Sequence, residues 1–181
     1  EEDILKYFDQ HKDEYVVPEK RRASHILVKV GEGDSEETVT DKRKKAEGFL
    51  KQARSGEDFA SLARKNSEDK GSGIRGGDLG FFGRGPMVKP FEDSVFGMQE
   101  GDMTLVRSEF GFHVIKLGKI NPLMVRTVNE VRDSIIATIK SGTIKELAFK
   151  QANKAYKEII MAGSLEKYAE AGGLLKETGL F

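Results

Sequence analysis

The first hydrophobic positions of the chain recur with helical spacing. In residues 2–15, Ile4, Tyr7 and Phe8 lie three or one positions apart, which predicts a short helix with one narrow apolar face. Pro18 interrupts this pattern. Because an isolated helix of this length is marginal in water, we expect it to pack on another element of the protein.

The next segment changes to the pattern of a strand. Residues 21–30, RRASHILVKV, contain a continuous apolar run that favours an extended conformation. Residues 31–40, GEGDSEETVT, predict an acidic loop. Helical spacing then returns in two stretches up to residue 67, separated at Gly56 and with Asp58 as a candidate cap of the second helix. Their apolar faces consist of Ala46, Phe49, Leu50 and Ala53, and of Phe59, Leu62 and Ala63.

Glycine dominates the middle of the chain. Residues 71–101 contain nine of the 20 glycines, so we expect loops there, with a short strand near 79–82 and a short helix near 90–97. Residues 101–120 predict two strands joined by a tight turn at SEFG.

The C-terminal part returns to helical spacing and keeps it for an unusual length. The pattern predicts a helix over 127–161, about 50 Å long, with a weak point at Ser141 and Gly142. Such a helix cannot bury its apolar stripe on a small domain alone. We expect the N-terminal helix, a partner chain or segments outside this sequence to cover it, and we predict that residues 2–15 pack on it. Beyond Gly163 we expect a short helix in SLEKYAEAGG and an extended end, LLKETGLF.

Composition narrows the function classes. Thirty basic and 30 acidic residues give a net charge of zero, which argues against the positive field of a nucleic-acid-binding protein. The absence of cysteine excludes disulfides, thiolate catalysis and cysteine zinc sites. No apolar stretch has the pattern of a membrane span or a signal peptide. Since the sequence starts at Glu1 rather than methionine, we expect a processed or excised chain.

Three polar side chains are candidates for chemistry. His25 and His113 interrupt apolar strand runs, and Asp69 precedes the glycine-rich segment. A lone histidine in a strand is commonly a satisfied core residue, and SEDKGSG fits a simple Asx turn. If the two strands are neighbours, the imidazoles can instead share a hydrogen bond. A metal site is disfavoured because the three candidates lie in separate segments and no HxxxH pair is present. Neither GxSxG nor a phosphate-binding loop occurs.

A second group of candidates is apolar and consists of Leu79, Phe82, Met87, Phe91 and Phe112. These side chains fit a hydrophobic core. They also fit a pocket, because aromatic rings and a methionine on loops with glycine turns form a shallow, adaptable apolar site. In the extended segment we expect Phe82 to face this site and Phe81 to point the other way.

Three segments resemble the parvulin-type peptidyl-prolyl cis–trans isomerases: ASHILVK, SEDKGSGIRGGDLGFFGRGPMVKPFEDSVF and FGFHVIKL. They follow one another at the spacing of that family over residues 21–120. The flanking segments, with YVVPEK after the first helix and LLKETGLF after the long one, resemble the bacterial envelope foldases of the PpiD, SurA and PrsA type, and PpiD-like proteins most of all.

The resemblance implies an α+β fold of the FKBP-like kind, a four-stranded antiparallel sheet with surrounding helices. It assigns 21–120 to the isomerase domain, 1–20 to an N-terminal helix, and 121–181 to a long C-terminal helix and tail. It also implies a shallow prolyl-peptide site with His25 and His113 as its floor and Asp69 facing the isomerising bond. The implied substrate-binding side chains are Leu79, Phe82, Met87, Phe91, Ser108, Phe110 and Phe112.

The resemblance further implies acceleration of X-Pro isomerisation in unfolded or partly folded envelope proteins, without a cofactor or a metal. The loop GEGDSEE is acidic where phosphate-directed relatives carry a basic loop, so we expect no phosphopeptide preference. The alternative is a non-catalytic peptide-binding chaperone that uses the same pocket and the helices. We expect the bacterial periplasm or cell envelope as the location, in a membrane-anchored or exported protein. We expect no nucleic-acid partner, and self-association through the long helix is a further expectation.

Overall fold

The computed structural model describes residues 1–170. The chain divides into two compact units, one formed by Val16–Val125 and the other by Glu1–Tyr15 together with the chain from Arg126 onward. The first unit is thus wider at both ends than the expected domain 21–120, because its two-residue strands Val16–Val17 (β1) and Met124–Val125 (β6) pair with each other. Strands this short leave no hydrophobic pattern, and these two were not predicted.

The sheet of the first unit has four antiparallel strands, as predicted. Their order is β3-β2-β5-β4, and the bounds are Lys20–Lys29 (β2), Asp78–Phe82 (β3), Met103–Ser108 (β4) and Gly111–Asn121 (β5). The central pair β2 and β5 is in register from Lys20 opposite Asn121 to Lys29 opposite Gly111. The four helices of this unit are Glu36–Arg54 (α2), Phe59–Asn66 (α3), Lys70–Gly73 (α4) and Lys89–Gly97 (α5).

The two faces of the sheet carry two separate hydrophobic cores. Strand β5 contributes to both, because successive side chains of a strand point to opposite faces. Phe112 and Val114 belong to the core under α2 and α3. Ile115 and Leu117 belong to the core that includes α5. His113, between Phe112 and Val114, therefore lies on the α5 face.

The local predictions for the helices of this unit are partly corrected and partly confirmed. The acidic loop was expected to run to residue 40, but α2 begins at Glu36. Ser35 caps the helix, since its side chain accepts a hydrogen bond from the Thr38 N–H at 3.2 Å, and Glu36 and Glu37 in the first turn favour the helix dipole. The four-residue helix α4 was not predicted, because its sequence KGSG has no helical pattern. The predicted cap of α3 is confirmed, since Asp58 accepts from the Ser61 N–H at 2.8 Å.

The second unit is a helix pair. Its N-terminal helix, Glu2–Gln10 (α1), is followed by a 3-10 turn at Lys12–Tyr15, so the α-helix is shorter than the predicted 2–15. A shared apolar core joins it to the long helix Val128–Ala162 (α6), which confirms the predicted packing. The buried members of that core are Ile4, Phe8, Val131 and Ile135.

The long helix α6 begins and ends with well-defined caps. Thr127 and Glu130 form a reciprocal capping box at its start. Gly163, with φ +85°, terminates it in the left-handed conformation. The helix runs without interruption through Ser141 and Gly142, which were predicted as a weak point. A short helix, Leu165–Glu170 (α7), follows, and the predicted extended end LLKETGLF lies outside the described residues. Within residues 1–170, no helix has the combined length and apolarity needed to cross a membrane.

Candidate functional site

The two candidate histidines meet on the α5 face of the sheet. His25 on β2 and His113 on β5 are both buried, and their Nδ1 atoms are 3.2 Å apart. The rings stack with an interplanar angle of 15° and a centroid separation of 5.4 Å. The predicted hydrogen bond between neighbouring strands is therefore confirmed. Since a nitrogen pair needs one donor and one acceptor, a single proton lies between the two Nδ1 atoms.

Asp69 completes this arrangement from the N-terminus of α4. Its Oδ2 lies 2.9 Å from His25 Nε2 and accepts from the Ser72 hydroxyl, while Oδ1 accepts from the Gly71 N–H at 3.0 Å. The last contact is the predicted Asx turn, which is the structural interpretation of this residue. Burial opposes ionisation of Asp69, but the hydrogen bonds from Ser72 and His25 outweigh it and lower the pKa of the carboxyl group to about 2.

His113 is held on its other side by Ser108. Ser108 Oγ lies 2.6 Å from His113 Nε2 and accepts from the Phe110 N–H at 3.1 Å. Burial, followed by the charge of the neighbouring His25, lowers the pKa of His113 to about 4 against an opposite effect of Asp69. His113 is therefore neutral at physiological pH.

These contacts form one hydrogen-bond chain that runs from Asp69 through His25 and His113 to Ser108. The ionised Asp69 accepts from His25 Nε2. Every side chain of this hydrogen-bond network has a partner, and among the described residues no buried side-chain nitrogen or oxygen lacks one.

An apolar cleft of about 400 Å³ lies over these polar groups. Phe91 of α5 forms its inner wall and presents its ring to the edges of both imidazoles, with centroid distances of 5.7 Å to His25 and 5.4 Å to His113. Further apolar lining comes from Leu79 of β3, from the loop before α5, and from the β4–β5 turn. The members of this further lining are Leu79, Pro86, Met87, Val88 and Phe110.

The glycine-rich segment is what allows β3 to approach the histidine strand. The His25 N–H donates to the Gly77 carbonyl at 2.9 Å. Gly77 has φ +82°, and a Cβ atom at this position would lie 2.2 Å from the His25 carbonyl oxygen. Only glycine fits both the conformation and the space. Gly77 thereby positions Leu79, two residues further on, at the cleft.

Most of the expected site residues come together, but not all of them line the cleft. His25, Asp69, His113, Leu79, Met87, Phe91 and Phe110 do so. Phe82 was expected among the substrate-binding side chains but does not line the cleft; it lies behind Phe91, with ring centroids 6.4 Å apart. The predicted alternation is confirmed, since Phe82 is 7% exposed and Phe81 is 44% exposed. Ser108 supports His113 from behind.

Phe112 is not part of the cleft, and its assignment to the site was wrong. It belongs to the core on the α2 face of the sheet. The physical reason is strand alternation, because Phe112 and His113 are consecutive on β5 and cannot face the same side.

Several groups at the rim of the cleft were not predicted from the sequence. Leu27 and Lys29 lie two and four positions after His25 on β2, so alternation alone could have found them. Glu68 and Lys70 flank Asp69, and all four residues line the cleft. The Glu68 carboxylate accepts from the Lys29 N–H at 2.8 Å. The cleft lining thus contains two lysines, Lys29 and Lys70, and two carboxylates, Glu68 and Asp69, which are equal in formal charge. Within residues 1–170, no group of three or more metal-ligating side chains is arranged to hold a metal ion.

Solved structures with the same fold define the class of protein. One of the SurA-like chaperones of Campylobacter jejuni is 30% identical and superposes with a TM-score of 0.70 over 85% of this chain and 60% of that chain. A PpiC-type peptidyl-prolyl cis–trans isomerase domain covers 57% of this chain and 93% of its own, with a TM-score of 0.52 and 24% identity, and this likeness shows the fold.

The family follows from the sequence match. Residues 3–120 match the model of the PPIC-type PPIase domain, and the chain belongs to this family of peptidyl-prolyl isomerases. Among curated relatives, the foldase protein PrsA of Caldanaerobacter subterraneus is 33% identical over 94% of this chain and 49% of its own length. PrsA of Geobacillus kaustophilus is 36% identical over 80% of this chain and 44% of its own. The chain thus spans about half the length of these relatives.

Proposed function

We propose that the protein catalyses cis–trans isomerisation of X-Pro bonds in unfolded or partly folded polypeptides. One observation carries this proposal. An apolar cleft of the size of a ligand pocket ends on two buried imidazoles and an ionised carboxylate. Membership of the PPIC-type family supports it.

The chemistry requires no bond to be broken. Resonance between nitrogen and carbonyl opposes rotation of the peptide bond with a barrier of about 18–20 kcal/mol, and a catalyst must bind the twisted imide better than either planar form. In the twisted state resonance is lost and the carbonyl carries less charge. An apolar wall of Leu79, Met87 and Phe91 around the proline ring therefore favours the twisted state over the more polar planar one.

Asp69 acts in this proposal through its charge. With a pKa of about 2 the carboxylate has no proton to donate at neutral pH, and hydrogen bonds from Gly71, Ser72 and His25 already hold its two oxygens. A fixed negative charge beside the isomerising bond disfavours the planar form, whose carbonyl oxygen is the more negative. The two histidines hold this carboxylate and the wall of Phe91 in place and transfer no proton.

The rim of the cleft indicates the substrate class. Lys29 and Lys70 are balanced by Glu68 and Asp69, so no surplus of positive charge is present to select a phosphate group. Phe110 at the β4–β5 turn is exposed and adds an aromatic surface at the edge. We therefore propose unphosphorylated substrates with an apolar or aromatic residue next to the proline.

A protease-coupled assay with a proline tetrapeptide tests the catalytic proposal. The wild-type protein should accelerate isomerisation, and Phe91→Ala should lower kcat/KM at least about tenfold, corresponding to 1.4 kcal/mol of transition-state stabilisation. Phe81→Ala is the matched control, since this exposed ring points away from Phe82 and the cleft, and it should retain the wild-type rate. No acceleration by the folded wild-type protein would refute the proposal.

A non-catalytic chaperone role is the second candidate, and exposed apolar side chains on α6 favour it. The C-terminal half of this helix exposes Ile144, Leu147, Phe149, Tyr156 and Ile160, which is more apolar surface than a helix in water normally shows. The double change Leu147→Ser and Phe149→Ser should weaken suppression of client aggregation without changing the isomerase rate. An unchanged suppression would reject α6 as a client surface.

The same exposed side chains of α6 support self-association, and sedimentation of the wild type and of the double serine variant would test it. For the location we propose the bacterial cell envelope, on the similarity to PrsA foldases and a SurA-like chaperone. Recovery of the native protein from the cytoplasmic fraction would contradict this location.

A further inference from the structure

A second cleft lies on the opposite face of the sheet from the apolar cleft at His25 and His113, which we call the isomerase cleft after its proposed function. It has a volume of about 350 Å³ and lies between α2 and the outer part of the sheet, within the size range of ligand sites. We call it the edge cleft, and its lining residues are Val39, Thr40, Arg43, Leu105, Arg107 and Phe112. Phe112, which does not belong to the isomerase cleft, is thus part of a different concave surface.

The edge cleft combines an apolar floor with two guanidinium groups. The Arg107 guanidinium carbon lies 5.6 Å from the centroid of the Phe112 ring, and this cation–π contact holds the cation above the floor. Arg43 donates from Nε to Glu47 at 2.9 Å, which leaves its two terminal amino groups. No carboxylate lines the cleft, and among residues 1–170 no acidic side chain lies within ion-pair distance of Arg107. The surface therefore favours an acidic side chain next to an apolar one.

The backbone beside this cleft is an unpaired strand edge. Backbone groups of a strand alternate in direction, and the Asp102 carbonyl faces β5, where it accepts from the Leu117 N–H at 2.9 Å. The groups of Met103, Leu105 and Arg107 consequently point away from β5. The Met103 carbonyl already accepts from Arg54 Nη2 at 2.7 Å. In the described part of the chain, no other element bonds to the outward groups of Leu105 and Arg107.

We propose that β4 and the edge cleft bind an extended polypeptide segment as an added strand. Its main chain pairs with Leu105 and Arg107, and alternate side chains, one acidic and one apolar, enter the cleft. This is the arrangement of strand addition, in which the main chain provides affinity and pockets for every second side chain provide specificity. The charge of the two arginines selects the acidic side chain, and Leu105 and Phe112 receive the apolar one. The site recognises extended chains without proline, so it is independent of the proposed isomerase activity.

A labelled, proline-free peptide tests this site on the whole protein. The probe is a fluorescein-labelled hexapeptide, Thr-Leu-Thr-Glu-Thr-Leu, and its binding is followed by fluorescence anisotropy. Arg107→Glu should weaken binding at least about tenfold. Lys51→Glu is the matched control, because it makes the same charge change at an exposed position of α2 about two turns beyond Arg43, and it should stay within about twofold of the wild type.

Changes in the peptide keep the test valid if a protein variant is unstable. Replacing its glutamate by glutamine should weaken binding at least about fivefold. N-methylation of one alternate set of peptide nitrogens should abolish binding, whereas methylation of the other set should leave it largely intact, because only one set faces β4. Equal effects of the two methylated series would overturn the proposal. So would loss of binding in Phe91→Ala, since the peptide would then occupy the isomerase cleft.

Discussion

His25 and His113 face each other through their Nδ1 atoms, 3.2 Å apart. This contact ties the protonation of one ring to that of the other, because a second proton between the two nitrogens would place two donors against each other. Ser108 and Asp69 fix the outer nitrogens of the pair. The floor of the cleft is therefore a fully hydrogen-bonded unit.

The buried His113 should make the protein less stable as the pH falls below 6.5. The unfolded chain binds a proton at the ordinary pKa of 6.5, whereas the folded protein resists protonation until about pH 4. Stability is therefore lost progressively between pH 6.5 and about 4, by up to about 3 kcal/mol. Urea unfolding at a series of pH values measures this, and His113→Gln should remove most of the slope. An equally steep slope in that variant would assign the effect to other groups.

Asp69 should affect both activity and acid stability. Its pKa is lowered from 3.8 to about 2, so the stabilisation it provides is present above pH 3.8 and is lost as the pH falls to about 2. Allowing for its partial exposure, the loss is about 1–2 kcal/mol. Asp69→Asn keeps the shape but not the charge and should lower kcat/KM at least about tenfold. A variant that retains full activity would show that the carboxylate charge has no part in the reaction.

Gly77, just before β3, and Gly80, within β3, allow a steric effect on stability to be distinguished from a conformational one. Gly77 and Gly80 both have positive φ, +82° and +70°. A Cβ at Gly77 would collide with the His25 backbone, but one at Gly80 has no neighbour within 4 Å. Gly80→Ala should therefore cost about 1–2 kcal/mol from backbone conformation alone, and Gly77→Ala more than about 3 kcal/mol. Similar thermal unfolding of the two variants would contradict the close approach of β3 to β2.

The parts of this molecule that could be predicted from sequence are those with a repeating pattern. The strand around His25 and the long helix were identified because apolar side chains recur over ten or more residues. The α1–α6 packing followed from the excess of apolar surface on that helix. The paired histidines could be predicted from the sequence because each interrupts an apolar strand.

Groups that depend on contacts between distant segments were not predictable in this way. Ser72 reaches His25 from α4, whose four residues have no pattern, and Glu68 reaches the Lys29 N–H from a distant segment of the chain. The error at Phe112 is different, because alternation from His113 would have excluded it. The strand alternation that separates Phe81 from Phe82 on β3 separates Phe112 from His113 on β5 in the same way.

Arg21 should act as a positioning residue for the cleft, although it does not line it. Its side chain is only 11% exposed, and its Nη1 donates to the carbonyls of Val95 and Met98 at the end of α5, both at 2.7 Å. These bonds attach α5 to β2 and thereby hold Phe91 over the histidines. Arg21→Met should lower stability by about 2–3 kcal/mol, because the carbonyls of Val95 and Met98 lose a charged donor. The change should raise KM more than it lowers kcat, since Phe91, part of the apolar wall around the substrate's proline ring, moves.

Arg84→Met is the matched control for this prediction. Both arginines lie over the Phe96 ring, Arg21 at 5.1 Å and Arg84 at 4.3 Å. Arg84 is 60% exposed, and its ion pairs with Glu92 and Asp93 are long, at 3.5 and 3.7 Å. Its loss should change stability by no more than about 0.5 kcal/mol and leave KM unaltered. Urea unfolding and steady-state kinetics of the two variants compare them directly. Equal effects would mean that stacking on Phe96, and not the attachment of the α5 carbonyls, is the function of Arg21.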